Sequence, residues 1–173
     1  SSMSTLKVNN IETVTGSGSI AINNDFDRVL FYGELASSST LTRVTETQLT
    51  GYTQNEIDTH SSFDGTTFTV PSGQAGKYFL SVQAFVDYDG IGDDGEVTYV
   101  AIKKNGSWVA GGALGHTSAG QIKLISQCAS TLQDLSVGDA ITYHVYSHAT
   151  SGNATLSASS SGNYNFMIGY RIL

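Results

Sequence analysis

The 173-residue chain carries 8 basic and 15 acidic side chains, a net charge of −7, and an isoelectric point near 4.8. No stretch gathers Lys and Arg into a patch, so a nonspecific phosphate-binding role in nucleic-acid recognition is excluded as an expectation. No apolar run approaches the roughly 18 residues that a membrane-spanning helix needs, and no charged start leads into an apolar signal core, so no membrane insertion is expected. Only 13% of residues are charged, while 19 Gly, one Pro, nine Tyr and seven Phe are present; this is the composition of an all-β domain rich in turns.

In chain order, Ser1-Ser2 ahead of Met3 reads as a scar of tag removal, with Met3 the native start. Residues 1–26 hold scattered apolar side chains, a Gly16-Ser17-Gly18 joint and Asn pairs, too little to bury a core alone. They are expected to form a leader or stalk apart from a domain over 27–173, either loose or ordered only against other chains or a larger particle. The run 28–35, Arg-Val-Leu-Phe-Tyr-Gly-Glu-Leu, is a strand, ended by Ala36 and three serines. Residues 45–59 are β-branched and polar, with Leu49, Tyr52 and Ile57 expected inward; a helix over 41–49 ranks below an irregular strand.

The stretch 63–80 carries the clearest local chemistry. Asp64-Gly65 supplies a turn that tolerates positive φ, Phe68 and Val70 alternate with Thr67 and Thr69, and Pro71 ends that strand by removing a ladder donor. Beyond the Gly73 to Gly76 connection, Tyr78, Leu80, Val82, Ala84 and Val86 fall on one face of a long strand.

An acidic loop follows, then a strand over 97–103, and Asn105-Gly106 closes a hairpin that suits a type I′ turn. The return strand begins at Trp108. Another strand, 121–132, separates Leu124, Ser126, Cys128, Ser130 and Leu132 from Ile125, Gln127 and Ala129. The lone Cys128 forms no internal disulfide and is expected to be a small buried hydrophobe. After Val137-Gly138-Asp139 the strand from Ala140 points Ile141, Tyr143 and Val145 one way. The last strand alternates Tyr164, Phe166, Ile168, Tyr170 and Ile172 with Asn165, Met167, Gly169, Arg171 and Leu173. The first set is expected in the core and the second outward. About ten short strands at these spacings indicate a β-sandwich.

No Gly-x-Ser-x-Gly elbow, phosphate loop, paired-cysteine zinc pattern or His-Glu-x-x-His occurs, so no enzyme is expected. His60, His116, His144 and His148 sit on separate elements and read as structural or solvated. Asp87, Asp89, Asp93, Asp94 and Glu96, among glycines that allow tight folding, supply hard oxygens of the kind Ca²⁺ takes. The same loop also reads as a solvated charged turn. Asn105-Gly106-Ser107 and Asn153-Ala154-Thr155 match the glycosylation sequon, which acts only in a eukaryotic secretory pathway.

Together, 63–80, the Lys104-Asn105-Gly106 turn, the Leu132-Gln133-Asp134-Leu135-Ser136-Val137-Gly138-Asp139 segment and the closing apolar strand resemble the globular head of complement C1q. That head is a ten-stranded jelly roll shared with the tumour necrosis factor superfamily. The resemblance covers about residues 29–173 and implies a ten-stranded, all-β jelly-roll sandwich that assembles as a homotrimer, its last strand near the middle of the inner sheet. His144, Met167, Gly169 and Leu173 are then the expected trimer contacts. Calcium binding is frequent in such heads, although none of their ligands maps onto the acidic loop residue by residue. The chain lacks a collagen-like repeat and a cysteine pair, which argues against an immune role. The leader Leu6-Lys7-Val8-Asn9-Asn10-Ile11 resembles openings of small fibre or appendage proteins of tailed bacteriophages, especially those of cyanobacteria. That resemblance implies a virion protein made in the bacterial cytoplasm, joined to other virion proteins through the N-terminal segment and presenting loops to a host cell-surface glycan or protein. The alternatives are a structural decoration of the particle and a secreted lectin or signalling module.

Overall fold

The computed structural model describes residues 28–88, 95–115, 123–149, 151–158 and 165–172, apart from the side chains at 54–56, 95–96 and 114–115. The expected leader therefore lies outside the described residues, as do Asp89, Asp93, Asp94, His116, Tyr164 and Leu173.

Twelve strands are described, all in antiparallel pairs. In the first sheet β1 (Leu30–Leu35), β4 (Tyr52–Asp58), β6 (Gly76–Asp87), β9 (Leu124–Leu135) and β12 (Phe166–Arg171) run in the order β9-β6-β12-β1-β4. Short β11 (Ala154–Leu156) pairs with β6 beyond the end of β12, with β2 (Ser39–Leu41) outside it. In the second sheet, β10 (Ala140–Ala149) has β7 (Gly95–Lys104) and then β8 (Ser107–Gly115) on one side. On its other side β3 (Thr45–Gln48) and β5 (Thr67–Thr69) pair with different parts of its length. The extra strands beyond the expected ten are short pieces of three or four residues, and the 41–49 region folds as strands with a turn between them.

A single side chain bridges the place where β12 gives way to β11 along β6. Buried Asn165 accepts the Phe85 N–H at 2.7 Å through Oδ1 and donates from Nδ2 to the Ser157 carbonyl at 2.5 Å. Its amide stands in for a missing backbone unit, satisfying groups whose burial without a partner would cost about 1–3 kcal/mol each.

Apolar burial between the two sheets holds the fold. Phe31 stacks between Phe63 and Phe68 at centroid distances of 5.0 and 4.5 Å, and Phe68 meets Tyr78 at 5.6 Å. Tyr78, Leu80, Val82, Ala84 and Val86 all point inward, as the alternation of β6 predicts, and face Ile141, Tyr143 and Val145 of β10. Each such large side chain contributes about 1.5–3 kcal/mol when fully buried. At one border the free edges of the sheets meet, with Gly112 of β8 lying against the Cys128 carbonyl of β9 where any Cβ would strike backbone.

Two alternations point the opposite way from expectation. In β12 it is Met167 that is fully buried and Gly169 that faces the core, while Phe166 and Ile168 are half-buried on the outward face and Tyr170 is exposed. The reason is volume: a Cβ on Gly169 would run into Phe31 and press on Leu80, so the packed aromatic core accepts only the slimmer face of the strand. In β9, Ile125 and Ala129 turn inward and Cys128 is exposed. Ile57, expected inward, is also exposed, whereas Leu49 and Tyr52 are buried as expected.

Candidate functional site

The outward face of the first sheet is built by the pairing register. Residues directly opposite one another share a face, which puts Leu132, Phe79, Tyr170 and Leu30 in one row across β9, β6, β12 and β1. Ser130, Ser81, Ile168 and Tyr32 form the next row, and Cys128, Gln83, Phe166 and Glu34 the third. Phe79 and Tyr170 touch at 5.3 Å and Tyr32 stacks near Phe166 at 6.2 Å. Leu132 is 65% exposed, and Leu124 near the end of β9 is 58% exposed. Charge enters only at the margins, where Lys77 pairs with Asp134 at 2.9 Å and Glu34 accepts the Tyr32 hydroxyl at 2.6 Å.

The outward face of the second sheet has a different chemistry. Tyr146 of β10 and Tyr99 of β7 are direct cross-strand partners whose rings stack at 4.7 Å, only 5° from parallel. The Trp108 indole of β8 meets Tyr99 edge-on at 5.2 Å and is 51% exposed. From β3, Glu46 reaches the same place: it accepts the Tyr99 hydroxyl at 3.2 Å, pairs with the Lys103 ammonium, and lies 3.5 Å from His144 Nδ1. His144 Nε2 is 3.0 Å from the Thr142 hydroxyl. Burial pushes the Glu46 carboxyl up, but the Lys103 hydrogen bond and charge, with Tyr99 and His144, outweigh it and hold the group below its usual range. Burial, seconded by Lys103, lowers His144 against the opposing pull of Glu46, so the imidazole is neutral at pH 7 and the cluster carries no net charge.

His144 thus stands on the sheet opposite the apolar face, and Met167 and Gly169 point into the core. None of the three shares a surface with the exposed aromatic rows, and Leu173 lies outside the described residues. Sequence reasoning missed Phe79, Ile168 and Tyr170 as outward groups and Glu46, Lys103, Tyr99, Trp108 and Tyr146 as a cluster. The latter come from four strands spread over a hundred residues, and only the register of β10 between β3 and β7 assembles them.

Of the acidic loop, Asp87 ends β6 and Glu96 is the second residue of β7; the three aspartates between them lie outside the described residues. A shallow hollow of about 330 Å³ has His60, Ser62, Asp64, Thr67, Thr69 and Pro71 in its lining. Asp64 beside it accepts the Thr66 and Thr67 N–H groups, and Asp58 beneath it those of Ser62 and Phe63; both carboxylates hold the loop in shape.

Two stretches singled out in the sequence meet in space. Asn105 and Gly106 adopt φ of 50° and 80°, as the hairpin turn requires. The Asn105 side chain then clamps the turn at 136–139, donating to Asp139 Oδ1 at 2.7 Å and accepting from the Ala140 N–H at 2.9 Å. Lys104 completes the corner 2.8 Å from Asp139 Oδ2.

No family model matches the sequence, and comparison with curated proteins gives no match. Solved structures do match. The Eiger TNF of S. frugiperda is similar over 84% of this chain and 92% of its own, with a TM-score of 0.60 at 12% identity. Murine APRIL is similar over 84% of this chain and 100% of its own, with a TM-score of 0.59 at 12% identity. Two antiparallel sheets in this order and with this likeness give the protein a jelly-roll β-sandwich fold like that of the tumour necrosis factor structures.

Proposed function

We propose that the protein is a noncatalytic, homotrimeric head on a phage virion appendage, which recognises a host-surface molecule while its N-terminal segment joins it to other virion proteins. The observation that carries the self-association is the outward face of the first sheet. Exposed Leu132 and Tyr170 and half-buried Phe79, Leu30, Ile168, Tyr32 and Phe166 lie in rows on it, and apolar faces of this kind mark contacts between proteins. A threefold arrangement follows the resemblance to C1q-like heads and leaves the second sheet and the loops facing outward. The virion setting is supported by the likeness of the leader to phage appendage openings; Ca²⁺ in the acidic loop belongs to the same proposal.

The test is a binding screen of the labelled, purified chain against bacterial cells and their extracted surface glycans, alongside the sequence of the neighbouring genes. Saturable binding to one host's surface, with virion genes on either side, is the expected result. Virion neighbours without binding to any host would make the protein a structural decoration, and secretory neighbours would overturn the virion reading.

A further inference from the structure

The second sheet's outward face has features that the self-association reading leaves unused. Trp108 lies over Gly111, whose missing side chain leaves the space that the indole ring occupies. Opposite Gly111 in the ladder stands Ala101, itself the partner of His144, so two small residues, Ala101 fully covered by its neighbours, link Trp108 to the Glu46, Lys103 and His144 group. An aromatic surface, of which the Trp108 indole is half open to solvent, therefore borders a charged but balanced set of hydrogen-bonding groups. Three donors on the Lys103 ammonium, of which Glu46 takes one, the remaining lone pairs of Glu46, and the Thr142 hydroxyl all belong to that rim.

We infer that Trp108, with the Tyr99–Tyr146 stack beside it, forms a platform for a neutral pyranose, whose hydroxyls are read by Glu46, Lys103, His144 and Thr142. The matching is chemical at each point. One side of a pyranose is a sheet of slightly positive C–H groups that the electron-rich face of an indole attracts. Its rim is a ring of hydroxyls that both donate and accept, which a carboxylate and an ammonium side by side satisfy together. The Glu46–Lys103 pair with a neutral His144 has no net charge, so it favours an uncharged sugar over an acidic or amino sugar. The inference deepens the recognition reading and rests on it for where the sugar comes from, a cell-surface polysaccharide, but not for its chemistry.

Trp108 is the chain's single tryptophan, so intrinsic fluorescence reports on the platform alone. The experiment titrates the full chain with millimolar methyl glycosides of glucose, galactose, mannose and N-acetylglucosamine, following indole emission and, in parallel, saturation transfer from the protein to the sugar C–H protons. The expected result is a saturable emission change with at least one neutral glycoside, and transfer strongest to the protons of one ring face. In Trp108→Ala the affinity read from these titrations falls roughly tenfold or more, a loss of about 1.4 kcal/mol, with the melting temperature kept. No emission change and no saturation transfer with any of the glycosides would overturn the inference without needing the variant. Host cells that bind wild type and Trp108→Ala equally would overturn it while leaving recognition itself standing. Weakened cell binding by Trp108→Ala, together with displacement of the wild-type chain from cells by the free glycoside, supports both.

Discussion

At the scale of single residues, the corner made by Asp139 ties two turns together and sets a pH dependence. The Lys104 hydrogen bond, then the Ser136 N–H and Asn105, draw the Asp139 carboxyl down to about 2 from 3.8. A carboxyl depressed on folding contributes stability that is present above the unfolded value and lost as pH falls through the folded one. Asp139→Asn is accordingly expected to lower stability at pH 7 by on the order of 2 kcal/mol, and the gap to wild type should close as the pH falls from about 4 to about 2. Urea melts across that range check it; a gap that stays constant with pH would mean the carboxylate's charge contributes nothing. The two turns of this corner were legible in the sequence, because Asn-Gly and Val-Gly-Asp each announce one, while their meeting depends on the fold. The turn after β2 was not. There Val44, a β-branched residue, takes φ of 55°, a conformation its side chain disfavours and that no local signal advertises.

Elements were easier to locate than to orient. Alternation in β6 and β10 identified the buried set correctly because one set is apolar and the other largely polar. In β12 both sets carry apolar residues, and a period of two divides a strand into faces without saying which one is inside. The answer came from residues far away in sequence: Phe31 and Leu80 fill the space next to Gly169, so the bulkier face went outward. The same reasoning applies to β9, where Cys128 was assigned to the core by residue type and the ladder to Gln83 places it outside. The closure of β8 on β9 depends on Gly112. Gly112→Ala is expected to destabilise the protein by about 1–3 kcal/mol, since the new methyl group meets the Cys128 carbonyl rather than a movable side chain. Gly106→Ala, where the added Cβ meets nothing but φ is positive, should cost only the backbone strain of about 1–2 kcal/mol. Thermal denaturation of the two variants measures both, and an unchanged melt for Gly112→Ala would show that the edges are not packed as described.

For the whole molecule, the two sheets divide the work in the proposed reading. One presents an apolar outward face for copies of itself, and the other a balanced polar and aromatic face for a ligand. Three weak sugar platforms held by one assembly would bind a repeating polysaccharide with avidity well above that of a single site. Loss of assembly would then abolish attachment without altering any platform. Ile168, in the middle of the apolar rows between Ser81 and Tyr32, is the position to break: Ile168→Asp should dissociate the assembly while the buried Met167 beside it continues to hold the sandwich. Light scattering on the purified full chain at micromolar concentration tests the central claim most directly. A monodisperse species of three times 18.3 kDa for wild type, falling to one times that mass in Ile168→Asp with the β-sheet circular dichroism retained, is the predicted result; a wild-type monomer would contradict it.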